Sequence, residues 1–243
     1  MERTLPDLGP RLMTVAAHVP AGGAVADIGT DHAYLPAWLV LRGRCERAIA
    51  TDVSAAVLEG AVRTVASYGL SDRIDLRVGD GLSAIAPGET SSIVVAGVGG
   101  LTMTSILSKG IAVARVQRRL VLQPMTHAES VRRWAAGNGM GIVGEDLARE
   151  GDRFYRVICL DPSVQSTGPP RGPALDDDMA LELGPLLLRE GHALLAPMIR
   201  GLLQECDVVI DRMRETLRRD DPRLRKWLER RDRLEEVLKC PSQ

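Results

Sequence analysis

The chain has 243 residues, 45% hydrophobic and 26% charged, with a net charge of −1, which suits one α/β domain plus a smaller appendage. A near-neutral balance leaves no global footprint for nucleic acid or membrane, and no apolar run approaches the roughly 20 residues of a membrane span. Cys45, Cys159, Cys206 and Cys240 are scattered without a CxxC pair, so no metal site or disulfide framework is expected.

In chain order, "LGPRLMTVAAHV" carries apolar residues at helical spacing, "AVADIG" is a short apolar run, and "HAYLPAWLVLRG" is helical again. "RAIATDV" reads as a second strand and "AAVLEGAVRTVASYG" as a second crossover helix. "RIDLRVGDG" and "SSIVVAGVGG" read as strands three and four, each closing in glycine. "LTMTSILSKG" is a helix stopped by glycine, "RRLVLQPM" a fifth strand, and "AESVRRWAAGNG" another helix. "GIVGEDLAREGDRFYRVICL" looks like two strands around a Gly-Asp turn. Such alternation predicts a doubly wound, mostly parallel sheet, with the hairpin adding one antiparallel strand at its edge.

Three segments follow: a first domain over 1–162, a Pro/Gly/Ser/Asp-rich linker over 163–178, and a helical domain over 179–243. Ile199, Leu202, Cys206, Val209, Met213 and Leu217 make one apolar stripe. Leu224, Trp227, Leu228, Leu234 and Leu238 make another, after Pro222 in a first helical turn. Two such stripes predict a coiled-coil-like helical hairpin.

In an open α/β sheet the ligand lies beyond the carboxyl ends of the strands. Asp27, Gly29 and Asp31 stand at the first of these ends, Asp52 and Val53 at the second, Gly79, Asp80 and Gly81 at the third, and Gly97, Val98, Gly99 and Gly100 at the fourth. A dinucleotide loop needs three glycines so that amides can reach a pyrophosphate. Here Gly29 is alone, and Asp31 takes the second glycine's place. A carboxylate there repels a diphosphate by about 1 to 4 kcal/mol at contact. NAD and ATP are disfavoured. S-adenosylmethionine, a phosphate-free nucleoside with a sulfonium and an ammonium, is the ligand these acids suit. Asp52 is placed for ribose hydroxyls and Asp80 for the adenine amino group. Asp31 is also readable as a helix cap, and His32 and Tyr34 as residues packed under the first helix. His18, His127 and His192 read as surface or cap residues with no metal spacing.

"RLMTVAAHVPAGGAVADIGTDHAYLP", "VGDGL", "IVVAGVGG", "RLVLQPM" with "VRRWAAGNG", and "LELGPLLL" resemble the bacterial tRNA (adenine(22)-N1)-methyltransferase family over nearly the whole chain. The resemblance implies a class I, Rossmann-like methyltransferase fold, S-adenosylmethionine as cofactor, and methylation of N1 of an adenine in tRNA. Two positions depart from the family: Val98 replaces the usual methionine, and Met125 a frequent asparagine. The second departure removes an amide. Under this reading Asp27, Gly29, Asp31, His32, Asp52, Val53, Gly79, Asp80, Gly81 and Gly97 hold the cofactor. Asp31 and Tyr34 face the reacting centre, and Gly97, Val98, Gly99 and Gly100 leave room for a flipped base. The expected enzyme is cytoplasmic and monomeric. The alternatives are a methyltransferase acting on a small molecule or protein, and a non-catalytic RNA-binding scaffold on a degenerate fold.

Residues 212–233 carry ten basic side chains against five acidic ones. Solvated intrahelical ion pairs or a dimer contact are the bland explanation. The one-sided excess near the turn, including Arg218, Arg219, Arg223, Arg225 and Lys226, instead suggests an arm for tRNA phosphates.

Overall fold

The computed structural model describes residues 5–165, 177–216, 218 and 220–239. The chain divides into two compact units, Met1–Gly168 and Pro169–Gln243.

The first unit opens with helix α1 (Gly9–His18), then strand β1 (Ala24–Ile28), α2 (Tyr34–Leu41), β2 (Arg47–Asp52), α3 (Ala55–Ser67) and β3 (Ile74–Val78). A 3-10 turn over Gly81–Ala84 leads to β4 (Ser92–Val98), α4 (Gly100–Lys109), α5 (Ile111–Arg115), β5 (Arg119–Pro124) and α6 (Ala128–Gly137). The hairpin β6 (Gly141–Glu150) and β7 (Arg153–Asp161) completes the sheet. The 3-10 turn and α5 are too short to show a periodicity, and sequence patterns did not indicate them.

All seven strands form one sheet in the order β3-β2-β1-β4-β5-β7-β6. Strand order reverses between β1 and β4, so the carboxyl ends of these two neighbours flank the crevice. Side chains alternate between faces. Val25, Val94, Val121, Val157 and Cys159 pack with α1, α2 and α3, whereas Ala26, Ile93, Val95, Leu120, Leu122 and Ile158 pack with α4, α5 and α6. Both faces are therefore covered, as parallel strands require.

The hairpin corrects one expectation. Its antiparallel strand β7 lies inside the sheet, between β5 and β6, rather than at the edge. The cause is composition: Val157, Ile158, Cys159 and Leu160 are buried on both faces, whereas β6 keeps several half-exposed residues and suits an edge. Gly151 takes the positive φ of 58° that the turn demands.

His18 is a second correction. It is neither a surface nor a cap residue, because its Nε2 lies 2.9 Å from Asp146 Oδ2 on β6. The bond to Asp146, and then one to Cys159, holds the imidazole up to about 10, so at neutral pH a charged pair ties α1 to the hairpin. Ring nitrogen Nδ1 of His192 accepts from Leu194 N, and His127 pairs with Glu129, both local contacts. Cys45, Cys159 and Cys206 are free and buried, and Cys240 lies outside the described residues.

Part of the expected linker is ordered. Val164 O accepts from Gly141 N at 2.6 Å, and α7 (Asp177–Leu183) already begins at 177; residues 166–176 lie outside the described ones. The second unit continues with α8 (Pro185–Glu190), α9 (Leu195–Thr216) and α10 (Pro222–Lys239). Ile199, Cys206 and Ile210 of α9 and Leu224 and Leu234 of α10 are buried, and Trp227, Leu228 and Leu238 are half-buried. Leu217, the last residue of the first expected stripe, lies outside the described residues. Arg230 pairs with Glu182 of α7 and sits 5.3 Å from the Trp227 ring centroid. No described helix is long and apolar enough to cross a membrane.

Candidate active site at the strand ends

The first strand end is a tight, polar turn. Asp27 is 5% exposed and accepts a 2.7 Å bond from Thr30 Oγ1. Burial pushes its carboxyl up to about 6, although the Thr30 bond opposes the shift. Gly29 and Thr30 both donate backbone N–H groups to Thr51 O, at 2.8 and 2.9 Å. Gly29 has φ 76°, and nothing stands within 4 Å of where a Cβ would project, so the turn opens onto free space.

Asp31 and Ala33 are non-glycine residues at positive φ, 53° and 56°. Such backbone costs about 1 kcal/mol or more per residue and clusters where function needs it. Asp31 does not cap α2, because Ala33 occupies the cap position and makes no side-chain bond. The Asp31 carboxylate is instead 71% exposed and 3.6 Å from His32 Nε2. His32 and Tyr34 are not packed under the helix either. Their rings lie 5.6 Å apart on the surface, and His32 Nδ1 leaves no space for a Cβ at Gly60.

At the second and third ends, Asp52 Oδ1 accepts from Ser54 N at 3.0 Å, and Asp52 O accepts from Gly79 N at 2.9 Å. Val53 and Val78 stand open beside it, 67% and 59% exposed. Asp80 is exposed and pairs with Lys109 at 3.0 Å. Gly79 and Gly81 are glycines for packing reasons: an added Cβ would lie 2.6 Å from Ala84 Cβ or 2.9 Å from Ile106 Cγ2.

At the fourth end, the β4–β5 register shifts between Ala96 and Val98, and Gly97 has φ 82°. The shift frees Gly97 N from the ladder, and Gln123 Oε1 takes it at 3.1 Å. Gln123 is fully buried; the same oxygen accepts from Arg11 Nη1 at 2.9 Å, while Nε2 donates to Pro124 O. Gly99 is the cap residue of α4. Gly100 N donates to Thr126 O at 2.8 Å, and an added Cβ would lie 2.2 Å from His127 O. Gly100 is thus explained by close backbone packing without reference to a base. Val98 O accepts from Met125 N at 2.9 Å, and Met125 Sδ accepts weakly from Gln123 Nε2 at 3.7 Å.

The sequence reading did not assign Gln123 or Arg11. A lone amide ending the apolar run "RLVLQP" was the available signal for Gln123. In the second unit, Arg223 is tied to Asp221 at 2.9 Å, so it is a weaker phosphate candidate than its exposure suggests. Among the described residues Arg218, Arg225 and Lys226 have no ion-pair partner, and Arg219 lies outside them. No group of three His, Cys, Asp or Glu among the described residues could hold a metal.

A sheet reversing between β1 and β4, with acids and open turns at its carboxyl edge, is the frame of a doubly wound ligand-binding domain, and a family model described as a methyltransferase domain matches residues 8–158. The tRNA (adenine(22)-N(1))-methyltransferase of Bacillus subtilis is 31% identical over 237 residues, covering 95% of this chain and 97% of that protein. The chain belongs to this family of tRNA methyltransferases. The crystal structure of the B. subtilis M1A22 tRNA methyltransferase TrmK matches with TM-score 0.81 and 30% identity over 96% of this chain and 99% of that one. The Streptococcus pneumoniae protein Sp1610, in complex with S-adenosyl-L-methionine, matches with TM-score 0.82 and 27% identity over 96% and 100% of the two chains.

Proposed function

We infer that this protein methylates N1 of an adenine in tRNA, position 22 by its family, using S-adenosylmethionine, as a monomer in the cytoplasm. The observation that carries the cofactor assignment is the first turn: a buried anionic Asp27 beside Gly29, whose face opens onto free space. That arrangement fits a phosphate-free cation, and it would oppose a pyrophosphate. Bound there, S-adenosylmethionine supplies a methyl group activated on a sulfonium.

The chain's own residues supply position and charge. Asp27 and Gly29 face the methionine part, with Asp31 and His32 at its rim. Asp52 accepts from the ribose, Val53 covers the adenine, and Asp80 is available at its edge beside Gly79, Gly81 and Lys109. Gly97, Val98, Gly99 and Gly100 border the place of the target base. Adenine N1 is itself a nucleophile, so holding it in line matters more than a strong base. Asp31, exposed and only loosely paired, stabilises the cationic product, and the Tyr34 ring supports the flipped base.

Mass spectrometry of nucleosides, after unmodified tRNA is incubated with enzyme and cofactor, should show 1-methyladenosine. Its absence would sink the assignment. Asp31→Ala and Tyr34→Ala should lower single-turnover rates about tenfold or more, and by more than they lower cofactor affinity. Wild-type rates in both would make them structural.

The helical hairpin of the second unit is the proposed tRNA arm. Its uncompensated Arg218, Arg225 and Lys226, with Arg219 and Arg223 nearby in sequence, suit phosphates distant from the target base. Reversing Arg218, Arg225 and Lys226 to Glu should weaken tRNA binding by about 2 to 4 kcal/mol and flatten its salt dependence. Unchanged binding at every salt concentration would make the arm a structural element.

A further inference from the structure

The carboxyl edge of the first unit carries a second basic feature, on α1 and the β6–β7 hairpin. Tyr155 and Arg153 lie two residues apart on β7 and so share a face, the one packed against α1. Arg11, in the first turn of α1, reaches across it. Its guanidinium lies 5.8 Å from the Tyr155 ring centroid, donates to Gln123 Oε1, and comes within 3.8 Å of where a Cβ on Gly97 would stand. Glu150, paired in register with Arg153, accepts from the Arg11 backbone N at 2.8 Å and leaves the guanidinium to other partners.

This charge is uncompensated. Among the described residues neither Arg11 nor Arg153 has a carboxylate within ion-pair distance. The N-terminus of α1 does not add to this charge, because Glu150 Oε1 accepts from Arg11 N and Asp7 Oδ1 from Gly9 N there. Two guanidinium groups on one face, that of Arg11 beside Gly97, make an anion-attracting surface next to where the target base enters. The anion that must be there during reaction is the phosphodiester on either side of the flipped nucleotide.

We propose that Arg11 and Arg153 grip the phosphates flanking the target adenine, with Tyr155 and Gln123 holding the Arg11 guanidinium in orientation. The inference rests on the tRNA assignment above and assigns this contact to the first unit, separate from the helical arm. Guanidinium planes suit phosphate oxygens through paired N–H donors. Such contacts fix register on the RNA and carry no sequence information.

The test uses the full-length protein with Arg11→Gln and Arg153→Gln, and unmodified tRNA titrated between about 50 and 200 mM salt. Each variant should bind tRNA about tenfold more weakly near the top of that range, and its log–log salt slope should fall by about 0.7 to 0.9. In Arg153→Gln, S-adenosylmethionine affinity, followed by calorimetry, should stay at the wild-type value. Arg153 is exposed, so Arg153→Gln reads the surface even if Arg11→Gln disturbs the fold. Wild-type affinity and slope in Arg153→Gln overturn the proposal. So does an Arg11→Gln enzyme with lowered kcat but unchanged KM and slope, which would confine Arg11 to holding Gly97 through Gln123. A wild-type enzyme that leaves tRNA unmethylated defeats the functional assignment instead, and the binding titration still reports on the surface.

Discussion

Gly100→Ala will destabilise the first unit by about 3 kcal/mol or more and depress methyl transfer at least a hundredfold. Its Cβ would meet His127 O at 2.2 Å and Thr126 O at 2.8 Å, both backbone atoms. No rotamer change can relieve that overlap, so α4 must retreat from the loop after β5. The movement carries Gly97 to Gly99 with it, and displacing a reacting group by about 1 Å costs roughly a hundredfold in rate. Gly99→Ala is the control, because its Cβ would meet only Thr126 Oγ1, at 3.1 Å, on a side chain that can turn. Urea denaturation of both variants and single-turnover kinetics of Gly100→Ala decide the matter. A Gly100→Ala protein with the wild-type midpoint would show that the approach of α4 to residues 126–127 is loose.

Asp27→Asn should separate stability from cofactor binding. The Asp27 carboxyl, held at about 6 in the folded protein, sits above its ordinary value because burial disfavours the charge. The folded state therefore binds this proton more tightly than the unfolded chain. The resulting stability is fully present below about pH 4, is lost as pH rises towards 6, and stays lost above it. At neutral pH the ionised group costs about 1 to 3 kcal/mol, which asparagine removes while keeping an oxygen for Thr30. The variant should gain on wild type in denaturant midpoint between pH 5 and 7, yet bind S-adenosylmethionine at least tenfold more weakly. A stability gap independent of pH would refute the buried-charge account, and unchanged affinity would remove Asp27 from the site.

Strands β1, β2 and β4 were legible because each is an apolar run closed by glycine or an acid, whereas β3 alternates apolar and charged residues and β5 is an apolar run ending in Gln123 and Pro124. The continuous run "VICL" even contained the information that β7 is interior, since an edge strand has no use for two buried faces. Asp27, Asp52 and Asp80 were singled out by position, and they stand at or just beyond the carboxyl ends of β1, β2 and β3. Long-range pairings left no local trace. His18 and Asp146 are 128 residues apart in sequence, and Arg11 and Gln123 are 112 apart. The reason for Gly100 was equally invisible, because a pattern of glycines does not say whether a ligand or a carbonyl approaches.

Val53 and Val78, both largely exposed at adjacent strand ends, have a consequence for turnover. Laying an adenosine over them removes apolar surface from water at about 25 cal/mol per Å². The demethylated product carries the same adenosine, so this contribution cannot distinguish fresh cofactor from spent. In the proposed site, only the methyl group and the positive charge it confers, beside Asp27, separate them. The spent cofactor should therefore act as a competitive inhibitor, and the enzyme's pace in the cell becomes tied to how quickly other enzymes remove it.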